Sequence, residues 1–389
     1  MIMAEELNLA SSRPASKTRL RLCPNLHLLL IVSGILSFGL VASLYLNNGI
    51  STFSWEATFS SISATILPSG TSNHSCGDGS VGFVARDGGD EELFLRATSE
   101  PVEELRSKKE EEKLVAKMAF MFLVKGPLPF APLWQKFFKG NEGLYSIYVH
   151  PHPSYNDSWP VDSVFYGRRI PSQPVFWGSS TMLDAERRLL AHALLDTCNQ
   201  RFLLLSESCI PVFDFHSVHT YLMNTNISMV QSFDDPRSIG RGRYSSGMSP
   251  HINVTNWRKG SQWFQIRRDL AVRIVSDKKY FELFKTYCVP PKCYMDEHYI
   301  PTLANVLGPD MISNRTVTWT NWSNSGAHPR KFGKGDINEE FLNKIRFGSE
   351  SCAYNGVTTW RCFMFARKFA PDALEPLLRI APFVFGFGS

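Results

Sequence analysis

The 389-residue chain has no pair of aspartates spaced i,i+2, so the simplest carboxylate arrangement for holding a divalent ion against a diphosphate is missing. G-x-G-x-x-G, Walker A, G-x-S-x-G and H-E-x-x-H are missing too, which removes the most direct nucleotide, hydrolase and zinc readings. Any diphosphate chemistry therefore has to rest on cationic side chains. Glycine (26) and proline (23) stand near ordinary usage, which excludes collagen-like and low-complexity chains. What is present is a folded composition: 43% hydrophobic, 13% aromatic and 20% charged residues, too apolar for disorder and too polar for a multi-span transporter. The net charge of +5 is mild and gives no reason to expect nucleic acid as a partner.

Lys and Arg are absent between Arg21 and Arg86, and inside that gap lies the one long apolar run, residues 26–46. About 20 such residues cross a hydrocarbon core as a helix. Arg13, Lys17, Arg19 and Arg21 precede the run, so the positive-inside rule orients the N-terminus to the cytosol and the rest to a lumen. A cleaved signal peptide is the alternative, with Val41-Ala42-Ser43 as the cleavage site, but the run exceeds the usual length of such an apolar core. The expectation is a single-pass type II membrane protein: cytosolic tail 1–25, transmembrane signal-anchor 26–46, lumenal stem 47–116 and one large domain 117–389. N-x-S/T sequons at Asn73, Asn156, Asn226, Asn253, Asn314 and Asn321 all follow the anchor, as do seven of the eight cysteines. Seven is odd, so one lumenal thiol is free or pairs with another chain, which leaves a disulfide-linked dimer open. Cys288 with Cys293, and Cys352 with Cys362, could each close a short loop; without nearby His ligands these spacings favour disulfides over zinc.

Ser, Thr, Gly and Asn dominate residues 50–89, as in a flexible stem, and the charged run 100–113 reads as a solvated helix. The apolar run 118–124, bounded by Gly126-Pro127, predicts a strand covered on both faces. A helix over 130–139, strands over 144–149, 175–177 and 202–205, and a helix over 181–196 follow. This alternation predicts an α/β domain with a mostly parallel central sheet, whose ligands bind beyond the carboxyl ends of the strands.

Asp296 and Glu297 stand just before an apolar run in which Pro301 fits only a first helical turn. A helix N-terminus favours ionised carboxylate, which suits a general base; capping of the helix is the alternative. Glu186 falls on the apolar face of its helix, where an ion pair with Arg187, Arg188 or another basic residue is expected. Arg237, Arg241 and Arg243 lie in a Gly/Ser-rich stretch, 234–250, expected to be a mobile loop near the site.

Several segments keep one order and spacing: Trp177-Gly178, Thr181-Met182, Ala185-Glu186-Arg187-Arg188-Leu189-Leu190, Leu205-Ser-Glu-Ser-Cys-Ile-Pro211, Lys259-Gly260-Ser261-Gln262-Trp263-Phe264, Asp296-Glu297-His298-Tyr299, Tyr354-Asn355-Gly356 and Phe365-Ala366-Arg367-Lys368-Phe369. Through them the chain resembles the core-2/I-branching β-1,6-N-acetylglucosaminyltransferase-like family, particularly its plant branch, over some two-thirds of its length. The resemblance implies a GT-A-like fold and a Golgi membrane glycosyltransferase that inverts the anomeric centre. It would move a sugar such as N-acetylglucosamine from a UDP-sugar co-substrate to a glycan or glycoprotein acceptor, with no metal or other cofactor. It carries the catalytic base onto Glu297 and one diphosphate-binding cation onto Lys368. The family's second cation has no match, because Ser349 or Glu350 stands in its place; Arg346 could substitute from nearby. His150 and His152 fall where the donor pocket is expected, although His-Pro-His-Pro also suits a plain loop. Trp319 and Trp263 are the acceptor-side candidates, with packing as the alternative for both. A non-catalytic lumenal scaffold that retains the fold is the rival reading, and a decayed cation set would be its mark. A glycosidase is disfavoured because adjacent carboxylates do not flank a sugar from two sides.

Overall fold

The computed structural model describes residues 89–99, 115–323, 326, 328–348 and 351–388. The expected anchor, most of the stem, the charged run 100–113, and Ser349 and Glu350 lie outside these residues. Among the described residues no helix is long and apolar enough to cross a membrane.

The central sheet has four strands, β1 (Lys117–Leu123), β2 (Tyr145–His150), β3 (Asn199–Ser206) and β5 (Gln265–Arg267), in the order β2-β1-β3-β5. β1 pairs in parallel with β2 and β3, and only β5 is antiparallel. The continuous apolar run of β1 is explained by two cores. Met118, Phe120 and Phe122 face one, and Ala119, Met121 and Leu123 face the other. The first core is aromatic: Phe120 is ringed by Trp134, Phe137, Phe138, Phe215 and Phe365, with centroids 4.8–6.4 Å apart. Each such side chain contributes about 1.5–3 kcal/mol by leaving water. Helices α2 (Ala131–Phe138), α4 (Phe215–Met223), α8 (Glu339–Phe347) and α9 (Leu374–Val384) cover that face. The opposite face carries α3 (Ser180–Leu194), α5 (Arg268–Ser276), α6 (Lys279–Tyr287) and α7 (Tyr299–Leu307).

A second sheet is small but decisive for the site. β4 (Ile210–Pro211), β9 (Phe365–Arg367) and β6 (Thr318–Thr320) run in that order, with β6 parallel and β4 antiparallel to β9. A hairpin of β7 (Cys352–Tyr354) and β8 (Val357–Thr359) completes the strands. Two expectations change. Residues 175–177 form no strand; Phe176 and Trp177 are exposed in the loop before α3. Within the segment read as stem, α1 (Gly89–Thr98) is a packed helix: Asp90 accepts from Nε and Nη2 of Arg188 at 2.6–2.9 Å, and Arg187 stacks on Phe94 at 4.7 Å.

Cys288 is bonded to Cys293 and Cys352 to Cys362, the two pairs the spacing suggested. Among the described residues the free cysteine is Cys209, fully buried after β3, so it offers no thiol to a second chain.

Candidate active site

Glu297 closes a 3-10 turn, Met295–Glu297, directly before α7. Neither it nor Asp296 caps the helix, because no side-chain cap bond is made at either element. The capping alternative therefore falls away. The Glu297 carboxylate is instead held by two cations on one oxygen: Arg243 donates to Oε2 at 2.5 Å, and Lys259 contacts the same atom. Burial pushes this carboxyl up, but the Lys259 and Arg243 charges outweigh it and keep Glu297 below its ordinary pKa. It is ionised at neutral pH, with both cations on Oε2 and the side chain 26% exposed. An ionised, partly exposed carboxylate is chemically able to take a proton from a hydroxyl.

The cradle around it is well tied. His298 is buried and stacks on Trp257 with centroids 4.6 Å apart. Its Nδ1–H donates to the Arg258 carbonyl at 2.8 Å, so Nε2 keeps its lone pair toward Arg243, 3.4 Å away. Burial lowers the His298 pKa to about 3, so this ring stays neutral. Arg243 also lies over the Tyr294 ring at 4.8 Å, and Tyr294 meets the exposed Trp177 at 5.1 Å. The stretch expected to be mobile is pinned: Arg237 pairs with Asp235, Arg241 with Asp234, and Trp257 donates to the Gly240 carbonyl at 3.1 Å.

Gly260 is the backbone hinge of this cradle. Its N–H donates to the Glu297 carbonyl at 2.9 Å, and a Cβ there would fall 1.9 Å from the Gln231 carbonyl oxygen. Backbone does not yield as a flexible side chain does, so Gly260→Ala is expected to cost about 1–3 kcal/mol. Thermal melts should show a Tm several degrees lower, and unchanged melts would contradict the packing described here.

A second group of cations lies across the small sheet. Lys368 follows β9, and a bridge between Phe332 and Phe369 sets Lys331 in register beside it. The Lys368 carbonyl accepts from the Phe332 N–H at 2.9 Å. Arg367 lies over Trp263 at 4.0 Å, its Nε buried without a partner. Burial first, and then the Arg367 charge, hold the half-buried Lys368 below its ordinary pKa, with Glu207 acting in the opposite sense. An excess of positive charge at the end of a strand, close to its own like charges, is a site prepared for an anion.

The expected site residues thus divide. Trp319 lies on the small sheet, Lys368 follows it and Trp263 packs beneath Arg367: Trp319 pairs with Ala366 in register, although its ring packs on Phe332 at 5.6 Å and Phe341 at 6.0 Å. Arg346 is spent elsewhere. It stacks on Phe213 at 4.6 Å and Phe347 at 4.8 Å and donates to Asn343 at 2.9 Å. His150 ends β2 fully buried, its pKa lowered to about 4 by burial and then by Arg188; its Nε2 accepts from the Gln173 N–H at 3.4 Å. His152 orders its own turn by accepting from the Ser154 N–H at 3.2 Å. Arg243, Tyr294 and Lys331 had no assigned role in the sequence. Lys259 carried a signal as the first residue of the Lys259-Gly260-Ser261-Gln262-Trp263-Phe264 segment, and Arg243 only as one of three arginines in the stretch expected near the site.

The family model described as Core-2/I-Branching enzyme matches residues 118–346, more than half of the chain. The chain belongs to the Core-2/I-branching enzyme family. A member from Oryza sativa subsp. japonica, named Glycosyltransferase BC10, is 34% identical over 310 residues, covering 68% of this chain and 77% of that relative. The Core-2/I-branching match spans β1 through α8, and so includes Glu297, Lys259 and Arg243; Lys368 lies beyond it. Membership makes the protein a glycosyltransferase, with a nucleotide-sugar donor and a glycan acceptor.

Proposed function

We propose that this enzyme transfers a sugar with inversion from a UDP-sugar to a glycan or glycoprotein hydroxyl, without a metal ion, on a GT-A-like domain. The observation that carries the reading is Glu297, ionised, with both its cations on Oε2. The acceptor hydroxyl donates to Oε1; its oxygen bonds to the anomeric carbon as the bond from that carbon to the diphosphate oxygen breaks. The proton ends on Glu297 and the new charge on the departing diphosphate. Lys368 and Lys331 receive that charge, with Arg367 behind them. Lys331 thus fills the role for which Arg346 was the sequence candidate.

The metal-free reading rests on the sequence, which has no pair of aspartates spaced i,i+2 to hold an ion against a diphosphate. The Golgi assignment, the type II anchor over 26–46 and the lumenal placement of the domain rest on the charge asymmetry and on the sequons. Asn156, Asn226, Asn253 and Asn314 are exposed, and the Cys288–Cys293 and Cys352–Cys362 pairs suit an oxidising lumen. Calorimetry of the full chain against a panel of nucleotide sugars, with and without EDTA, tests the donor reading. A UDP-sugar should bind equally in both conditions. Loss of binding in EDTA overturns metal independence, and no binding to any nucleoside diphosphate overturns the donor assignment.

A further inference from the structure

Behind Glu297 lie two more carboxyl groups that the transfer step does not use. Glu186, on the inward face of α3, is 1% exposed, and its hydrogen-bond partner is the neutral Gln262 side chain, which donates to Oε1 at 2.8 Å. The expected ion pair is absent because the neighbouring cations are committed. Arg187 donates to the Val275 and Asp277 carbonyls, each at 2.8 Å, and Arg188 binds Asp90. α3 packs against the Met295–Glu297 turn, where Asp296 buries an Oδ1 that has no partner. The two facing cations, Lys259 and Arg243, both contact Glu297, and His298 is neutral.

The charge count decides the assignment. Three ionised carboxylates, Glu186, Asp296 and Glu297, would face two cations, Lys259 and Arg243, leaving a buried negative charge uncompensated. One retained proton makes the pocket neutral. We propose that Glu186 and Asp296 hold one proton between them behind Glu297, so that Glu186 is a positioning residue that keeps both cations on the base. A second negative charge there would draw Lys259 and Arg243 off Oε2. Burial, together with the Asp296 charge, raises Glu186 well above its ordinary pKa; burial, and then the Glu297 charge, raises Asp296 to about 6.

This inference rests on Glu297 being the base, but its first test does not require activity. A carboxyl whose folded pKa lies above its unfolded value contributes stability at low pH that is lost as pH rises toward the folded value. Glu186→Gln keeps the bond from Gln262 and removes that loss. The Tm of the variant minus that of the wild-type full chain should therefore grow by about 3 °C or more between about pH 5 and about pH 8. Asp296→Asn should show the same trend, and the double variant should gain no more than the better single one. A difference that stays flat with pH, or a Glu186→Gln chain equally destabilised throughout, overturns the shared proton. In transfer assays the alkaline limb of the pH profile should move upward in Glu186→Gln, which a purely structural role would leave in place. If the melts follow expectation while no transfer is detected in either chain, the base assignment fails and the shared proton stands.

Discussion

Glu297→Gln should lower the transfer rate by about a hundred- to ten-thousandfold, the range a positioned general base supplies. The substitution keeps the shape and one acceptor oxygen for the two cations, but it turns the other oxygen into a donating NH2 and removes the charge that accepts the acceptor's proton. Donor binding should survive, because the cations that receive the diphosphate lie on the small sheet rather than around Oε2. Lys259 and Arg243 would then face a neutral amide. Their side chains are 15% exposed, so water screens part of the cost, and a loss of about 1–2 kcal/mol is expected. The check is a pair of measurements on one preparation: single-turnover transfer, and UDP-sugar affinity by calorimetry. If transfer persists within about threefold of wild type, Glu297 is not the base, whatever its conformation. If donor affinity collapses together with transfer, the two charge centres are not separate as described.

The central scaffold was legible in the sequence because it depends on local period. The apolar run 118–124 has no polar alternation, and the strand it forms is indeed buried on both faces. The stripe along α3 likewise marked its buried face, and Pro301 placed the turn that carries Glu297. The small sheet left no such trace. β6 and β9 have three residues each and come from segments more than forty residues apart, so their pairing is set by tertiary contacts rather than by pattern. With that pairing went the neighbourhood of Lys368, so the sequence offered Arg346 and gave no sign of Lys331. Arg243 was hidden for a different reason: a loop arginine has no period, and nothing distinguished it from Arg237 and Arg241 until the chain folded one of the three onto Glu297. The misread Glu186 is instructive in the same way. An adjacent Arg187 suggested a partner, yet successive helical residues point in different directions. Arg187 turned to the α5 carboxyl end and to Phe281, over which it lies at 4.0 Å.

Lys368→Ala should weaken nucleotide-sugar binding by about ten- to hundredfold, the worth of one charge-assisted bond to phosphate. The transfer rate should fall further than binding, because the leaving diphosphate carries more charge in the transition state than in the bound donor. Lys331→Ala should act in the same direction but more weakly, since Lys331 is exposed and its field is screened by water. Arg346→Ala is the control that separates the two candidates for the second cation. Its guanidinium packs against both Phe213 and Phe347, so its removal should cost packing stability and leave donor affinity unchanged. Calorimetry with UDP on the three variants decides the matter. Should Arg346→Ala lose affinity while Lys331→Ala keeps it, the diphosphate is bound at the end of α8 and the Lys331–Lys368 pair is not its site. Salt provides an independent reading of the same geometry. Wild-type affinity should fall as ionic strength rises, and the dependence should be shallower in Lys368→Ala, which has lost one of the charges that the diphosphate meets.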